Sequence, residues 1–187
     1  MPLCTKMMEE RRLKKEILLP QGVSAHIEGH LVSVKGPKGE VKKNIFDPTV
    51  KIAVEEGKVK FSPNKMTKKQ KMLINTYVSH VKNMIAGVQN QYQYKMKVCS
   101  SHFPISVGLE GSTLVIKNLF GEKQPRRAKI VPGVKVEAKG DLVTITGADI
   151  ESVGQTCTNI ELAVRITNRD RRVFQDGVWL FERGRVE

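Results

Sequence analysis

Aromatic side chains make up only 5% of this 187-residue chain, and it has a single tryptophan. A sheet that reads single strands by stacking bases needs aromatics on its central strands, and a segment such as Leu114-Val115-Ile116-Lys117 has none. Three cysteines, Cys4, Cys99 and Cys157, lie far apart without the paired spacing of a disulfide framework or a zinc site. Their odd number fits a reducing compartment. No apolar run approaches the roughly 18 residues that a membrane-spanning helix needs. Ile17-Leu18-Leu19, stopped by Pro20, is too short for the core of a secretory segment.

Catalytic patterns are missing too. The GxxxxGK phosphate loop does not occur, and Ser100-Ser101-His102 lacks the flanking glycines of a nucleophile elbow. No nucleophile with a base and no paired carboxylates stand out. His26 and His30 have the spacing of helical metal ligands, but their segment is extended and contains Gly29, so they would not converge on one ion. His80 and His102 have no acidic or cysteine partner beside them in sequence. The expectation is a protein that is not an enzyme and that takes no metal, cofactor or small-molecule substrate.

What the chain has is positive charge. Lys and Arg number 32 against 19 Asp and Glu, a formal +13, and such a field attracts polyanions. The basic residues are spread along the chain with no anchor beside them, which points to nucleic acid and away from a membrane surface. Reading the major groove of DNA would need a helix with a basic face. Here Lys68, Lys69 and Lys71 crowd the start of one helical segment, and the other opens with acids. A basic chain poor in aromatics is suited to neutralising and positioning the phosphates of structured RNA.

The length suggests two small domains. Residues 1–17 mix both charge signs and read as a partly ordered leader. Val23-x-Ala25-x-Ile27, Leu31-Val32-Ser33-Val34 and a strand from Val41 form a meander with turns at Glu28-Gly29-His30 and Gly36-Pro37-Lys38-Gly39. Val50-x-Ile52-x-Val54 and Val59-x-Phe61, joined around Gly57, add a hairpin to the same sheet. Thr67 and Gln70 make a capping box for a helix with Leu73, Tyr77, Val81, Met84 and Val88 on one face, ended by Gly87.

The order then repeats. Thr113 to Glu122 aligns without gaps on Leu31 to Glu40, keeping Lys117 with Lys35 and Gly121-Glu122 with Gly39-Glu40. Val134-x-Val136 matches Val50-x-Ile52, and Lys139-Gly140-Asp141 matches Glu56-Gly57-Lys58. A second helix starts at the N-cap Asp149, with Ile150, Val153, Cys157, Ile160 and Val164 at helical spacing. The fold class is therefore α+β, two similar domains, each an antiparallel sheet covered by one helix, at residues 18–90 and 91–187. Gly36-x-x-Gly39 also fits the backbone-clamping loop of a KH module, but that loop joins two helices whereas this one joins strands.

After the second copy comes a tail with no counterpart after the first, holding Arg169, Arg171, Arg172, Arg183 and Arg185. Asp176-Gly177 reads as a tight turn between Val173-Phe174 and Val178-Trp179-Leu180. A second basic group surrounds the turn at Gly121 and Pro125: Lys117, Lys123, Arg126, Arg127 and Lys129, with Glu122 the one acid. A charge run is usually only a solvated face. Arginine is frequent in both groups, however, and its planar fork binds phosphate in a bidentate way that lysine cannot match. Both groups are candidate RNA contacts.

Ile116-Lys117-Asn118-Leu119-Phe120-Gly121-Glu122-Lys123 with Arg126-Arg127, followed by Val131-Pro132-Gly133-Val134, resembles the large-subunit ribosomal protein six family, whose eukaryotic member is numbered nine. Val34-Lys35-Gly36-Pro37-Lys38-Gly39 looks like that family's first-domain turn. Arg172-Val173-Phe174-Gln175-Asp176-Gly177-Val178-Trp179-Leu180 is similar to the archaeal and eukaryotic C-terminal signature, with Trp179 where Tyr is usual. The bacterial Tyr-Lys-Gly-Lys-Gly ending is missing, so the resemblance implies the archaeal type, or else the eukaryotic.

The resemblance implies two sheet-plus-helix domains and a structural role in the large ribosomal subunit, in the cytoplasm. It implies contact with large-subunit rRNA, mainly through the second domain and tail, near the sarcin-ricin loop and the docking site of translation factors, with other ribosomal proteins as neighbours. Carried over residue by residue, it assigns RNA contact to Lys117, Asn118, Gly121, Lys123, Arg126 and Arg127, and to Arg169, Arg171, Arg172 and Arg183. The alternatives are a structured-RNA-binding protein outside the ribosome, or an RNA-modifying enzyme whose site assembles from distant residues.

Overall fold

The computed structural model describes residues 15–45, 49–55, 57–64, 67–170 and 172–186. The chain divides into two compact units between Gln89 and Asn90.

The first unit runs β1 (Lys15–Leu18), β2 (Ser24–Glu28), β3 (Leu31–Gly36), β4 (Gly39–Asn44), β5 (Val50–Glu55), β6 (Lys58–Pro63) and α1 (Lys68–Gln89). β1 begins inside the stretch read as leader, where Ile17 is buried opposite Val59 in an antiparallel pairing with β6. The meander and the hairpin do not share one sheet. They form two antiparallel sheets, β2-β3-β4 and β1-β6-β5. Alternation sets their apolar faces: Val32 and Val34 on β3, Val41 on β4, and Val59 and Phe61 on β6 are buried.

α1 packs against strands of both sheets. Its deepest stripe is Ile74, Val78, Val81, Ile85 and Val88, while Leu73 and Tyr77 from the expected face are only half-buried. At its start Thr67 Oγ1 accepts from the Gln70 N–H at 3.3 Å, which is one arm of the capping box. The return arm is not made, because Gln70 Oε1 is buried with no hydrogen-bond partner among the described residues. Nor does Gly87 end the helix, which continues to Gln89 with Gly87 buried. A mid-helix glycine costs about 1 kcal/mol in propensity, and packing overrides it. Here the β3–β4 hairpin meets the helix: the Lys38 N–H donates to the Val88 carbonyl at 3.1 Å.

The second unit repeats the order with β7 (Tyr92–Cys99), β8 (Ser106–Glu110), β9 (Thr113–Lys117), a 3-10 turn at Leu119–Gly121, β10 (Arg126–Lys129), β11 (Val134–Lys139), β12 (Leu142–Gly147) and α2 (Ile150–Ala163). β7 stands where β1 stands, and β8-β9-β10 and β7-β12-β11 restate the two sheets. α2 is capped as expected: Asp149 accepts from the N–H groups of Glu151 at 3.1 Å and Ser152 at 3.2 Å. Val153, Cys157, Ile160 and Val164 are buried on it, and the core they join includes Tyr92, Tyr94, Met96 and Val98 of β7.

The copies differ in three places. β3 and β4 close tightly, with Gly36 opposite Gly39, whereas residues 118–125 separate β9 from β10. Gly121-Glu122 therefore lies in a loop and is not the structural counterpart of Gly39-Glu40. The β5–β6 and β11–β12 hairpins close on Glu55 opposite Lys58 and on Lys139 opposite Leu142. Gly57 thus takes the second turn position and Gly140 the first, one residue out of the sequence match.

The third difference corrects the reading of the tail. Asp176-Gly177 is not a hairpin turn, because β13 (Gly177–Arg185) pairs antiparallel along the whole of β7, from Gly177 opposite Cys99 to Arg185 opposite Tyr92. The sheet becomes β11-β12-β7-β13. The backbone of β7 is thereby paired on both edges, and Val178 is fully buried.

Candidate nucleic-acid interface

The site is built around the 118–125 connection. Asn118 (φ 63°), Phe120 (φ 52°) and Gly121 (φ 75°) take left-handed backbone conformations, which suit Gly and Asn but cost a bulky residue such as Phe roughly 1–2 kcal/mol. Several contacts hold the turn in that shape. Asn118 Nδ2 donates to the Pro104 carbonyl at 3.0 Å. The Phe103 ring lies across Gly121, 3.7 Å from where a Cβ would stand. Leu119 is buried, and Phe120 packs on the core beside it.

Arg126 ties the loop to the end of α2. Its Nε and Nη2 pair with the two oxygens of Glu122 at 2.8 and 2.6 Å, and Nη1 donates to the carbonyls of Ala163 at 3.1 Å and Arg165 at 2.9 Å. An arginine has about five N–H donors, so nearly all of this guanidinium is committed within the protein. The pairing holds the Glu122 carboxyl below its ordinary range, against a smaller opposing effect of burial and with help from the charge of Arg169.

Arg169 is placed differently. Its guanidinium lies 4.9 Å from the centroids of both Phe120 and Phe174, whose rings meet edge to face at 5.8 Å. His102 stacks on Phe174 at 5.0 Å. Beneath this cluster is Asp176, 2% exposed. It accepts from the N–H and hydroxyl of Ser101, the N–H of His102 and, at 2.5 Å, His102 Nδ1. Burial alone would raise the Asp176 carboxyl, but these donors outweigh it and lower the pKa to about 2.

His102, expected to have no acidic partner, therefore has one, supplied from 74 residues further along the chain. Ser101, His102 and Asp176 do not form a hydrolytic triad. Ser101 Oγ, at 3.4 Å, and Asp176 Oδ2 both face the same ring nitrogen, so no imidazole stands between them to relay a proton. The Cys157 thiol is pushed up to about 11, mainly by burial and then by Glu161, so it is not a thiolate at neutral pH.

Of the residues expected to touch RNA, Lys117, Lys123 and Arg127 are exposed on or beside the loop. Arg127 approaches Glu110 at 3.8 Å, a weak exposed pair. Arg172 folds back on Asp170, with Nε 3.3 Å from Oδ1 and Nη2 3.2 Å from Oδ2, while 91% of its side chain stays exposed. Arg171 lies outside the described residues. Arg183 is not brought to the loop. It stands opposite Tyr94, well along β13 from Gly177, with its guanidinium 5.9 Å from the Tyr94 ring.

Sequence reasoning missed Phe120, Phe174, His102 and Asp176. No periodicity marks them, and their contacts join segments far apart in the chain. Among the described residues there is no group of three or more His, Cys, Asp or Glu able to hold a metal ion, and no helix is long and apolar enough to cross a membrane.

The family model described as ribosomal protein L6 matches this chain twice, over residues 19–91 and 103–177, one match to each unit. The chain is 42% identical to the large ribosomal subunit protein uL6 of Sulfurisphaera tokodaii, covering 94% of this chain and 95% of that protein. It is 45% identical to that of Ignicoccus hospitalis, over 88% and 91% of the two chains. For Methanospirillum hungatei the identity is 43%, over 91% and 97%. The paired sheet-and-helix units and these matches along nearly the whole chain agree: this protein belongs to the ribosomal protein L6 family, a ribosomal structural protein of archaeal type and not an enzyme.

Proposed function

We propose that the chain is a structural constituent of the large ribosomal subunit in the cytoplasm and binds large-subunit rRNA mainly through its second unit. The observation that carries this is the asymmetry between the copies. Where the first unit closes β3 onto β4 tightly, the second carries the 118–125 loop, flanked by the exposed Lys117, Lys123 and Arg127. The segment after α2 brings Arg169 against that loop through Phe120. Phosphate neutralisation at such a surface releases counterions and gives strong, salt-dependent binding.

Arg126 serves this surface by shaping the loop, and Arg172, exposed but paired with Asp170, adds positive charge to the segment that carries Arg169. Arg183 makes a separate contact along β13. A position near the sarcin-ricin loop and the translation-factor docking site, with other ribosomal proteins alongside, is supported by the family resemblance.

Gradient sedimentation of the tagged protein in its own cells tests assembly. The protein should migrate with the large subunit and stay there through a moderate salt wash. Recovery in the free-protein fractions would refute the proposal. Chemical footprinting of subunits with and without the protein tests the location, with protections expected around the sarcin-ricin loop. Protections confined to other rRNA domains would move the site.

A further inference from the structure

We infer that Arg169 is a preset phosphate fork for RNA, oriented by Phe120 and Phe174, and this inference rests on the reading that the second unit binds rRNA. A free arginine side chain loses rotamer freedom when it is fixed on a ligand. Here the guanidinium is already fixed, with its carbon 4.9 Å from each of two ring centroids. Ring contacts of this kind use no lone pair as acceptor, so the N–H donors of the guanidinium are left unspent. Among the described residues the Arg169 guanidinium makes ring contacts and no hydrogen bond, whereas Arg126, on the same loop surface, has given nearly all of its donors to Glu122, Ala163 and Arg165. One arginine builds the site and the other is held open.

The rings themselves are held in place. Phe120 sits at φ 52°, a conformation its side chain disfavours, and it packs on the core of the second unit. Phe174 is stacked on His102, whose ring and backbone N–H are bound by the buried Asp176. Strain at Phe120 and a buried carboxylate under Phe174 thus have one shared result, a corner of two rings, 71° apart, against which the guanidinium rests. A phosphate has the geometry that accepts two parallel N–H bonds from a guanidinium.

The test is filter binding of the full-length protein to an rRNA fragment carrying the sarcin-ricin loop, over a range of salt, for Arg169→Gln, Arg169→Lys, Phe174→Leu, and Phe174→Leu combined with Arg169→Gln. Arg169→Gln should lower affinity about tenfold and reduce the salt slope by about 1. Arg169→Lys keeps the charge but not the fork, so affinity should still fall several-fold with the slope unchanged. Phe174→Leu should weaken binding alone yet add nothing when Arg169 is already Gln, because it acts through Arg169.

Wild-type binding by Arg169→Lys overturns the fork, and so does an undiminished Phe174→Leu effect in the Arg169→Gln background. If Phe174→Leu does not fold, as its melt would show, the two Arg169 variants decide alone. Wild-type binding by Arg169→Gln sinks this inference while leaving the function standing. The function falls with it only if Lys123→Gln and Arg127→Gln also bind as the wild type does.

Discussion

Arg126 grips Glu122 through two parallel bonds, 2.8 Å from Nε to Oε2 and 2.6 Å from Nη2 to Oε1. Its remaining nitrogen closes on two carbonyls at the C-terminal end of α2. One side chain thus fastens the 118–125 loop to the helix end, where a cation is also favoured by the helix dipole. Replacing Arg126 with Ala leaves those carbonyls and Glu122 without their donor and should cost about 1–3 kcal/mol. Arg126→Lys should recover only part of it. Thermal melting checks this, and a melt of Arg126→Ala equal to the wild type would remove the staple from the account.

Asp176 makes the second unit sensitive to acid. Its folded-state pKa, lowered to about 2, lies under the ordinary carboxylate value near 3.9. A depressed carboxylate contributes stability that is fully present above the unfolded value and is lost as pH falls through the folded one. Stability should therefore decline between about pH 4 and pH 2, by on the order of 1–2 kcal/mol for this group. Asp176→Asn should be less stable at pH 7 and show a shallower loss over that window in denaturant titrations. An equal slope in both proteins would mean that Asp176 is not the group responsible.

Two glycines pack against helices with different tolerance. A Cβ at Gly36 would stand 2.7 Å from Val88 Cγ2, 2.9 Å from its Cβ and 3.0 Å from its carbonyl oxygen. A Cβ at Gly147 would stand 2.8 Å from Val153 Cγ2 and then 3.6 Å from the next atoms. Backbone cannot yield where a single methyl can, so Gly36→Ala should cost about 1–3 kcal/mol and Gly147→Ala distinctly less. Chemical denaturation of the two variants gives the order, and the reverse order would contradict the packing described.

The repeat was legible because alternation and helical spacing are local signals: Leu31 to Lys35 and Thr113 to Lys117 do form corresponding strands, and Asp149 does cap α2. What could not be read depends on distant partners. β13 looks like a basic tail because Arg183 and Arg185 alternate along an edge strand, and only the pairing with β7 reveals the sheet. The division of labour between Arg126 and Arg169 is invisible in composition. Arg126 follows Gly121 and Arg169 lies in the tail, and only the geometry shows that they meet on one loop and which has spent its donors. Gly57 and Gly140 look equivalent in the sequence match, yet they occupy different positions of equally short turns.

The central claim, that the second unit is the rRNA-binding face, is tested most directly by filter binding of two charge-reversed full-length proteins to the same large-subunit rRNA fragment. One carries Arg127→Glu, Arg169→Glu and Arg172→Glu; the other carries Lys42→Glu, Lys43→Glu and Lys58→Glu in the first unit. Each reversal removes a donor and adds repulsion, so the second-unit triple should lose roughly a hundredfold or more in affinity at moderate salt. The first-unit triple should lose only the few-fold that its change in net charge brings, with both proteins melting near the wild type. Greater loss in the first-unit protein would assign the rRNA contact to the first unit and contradict the account.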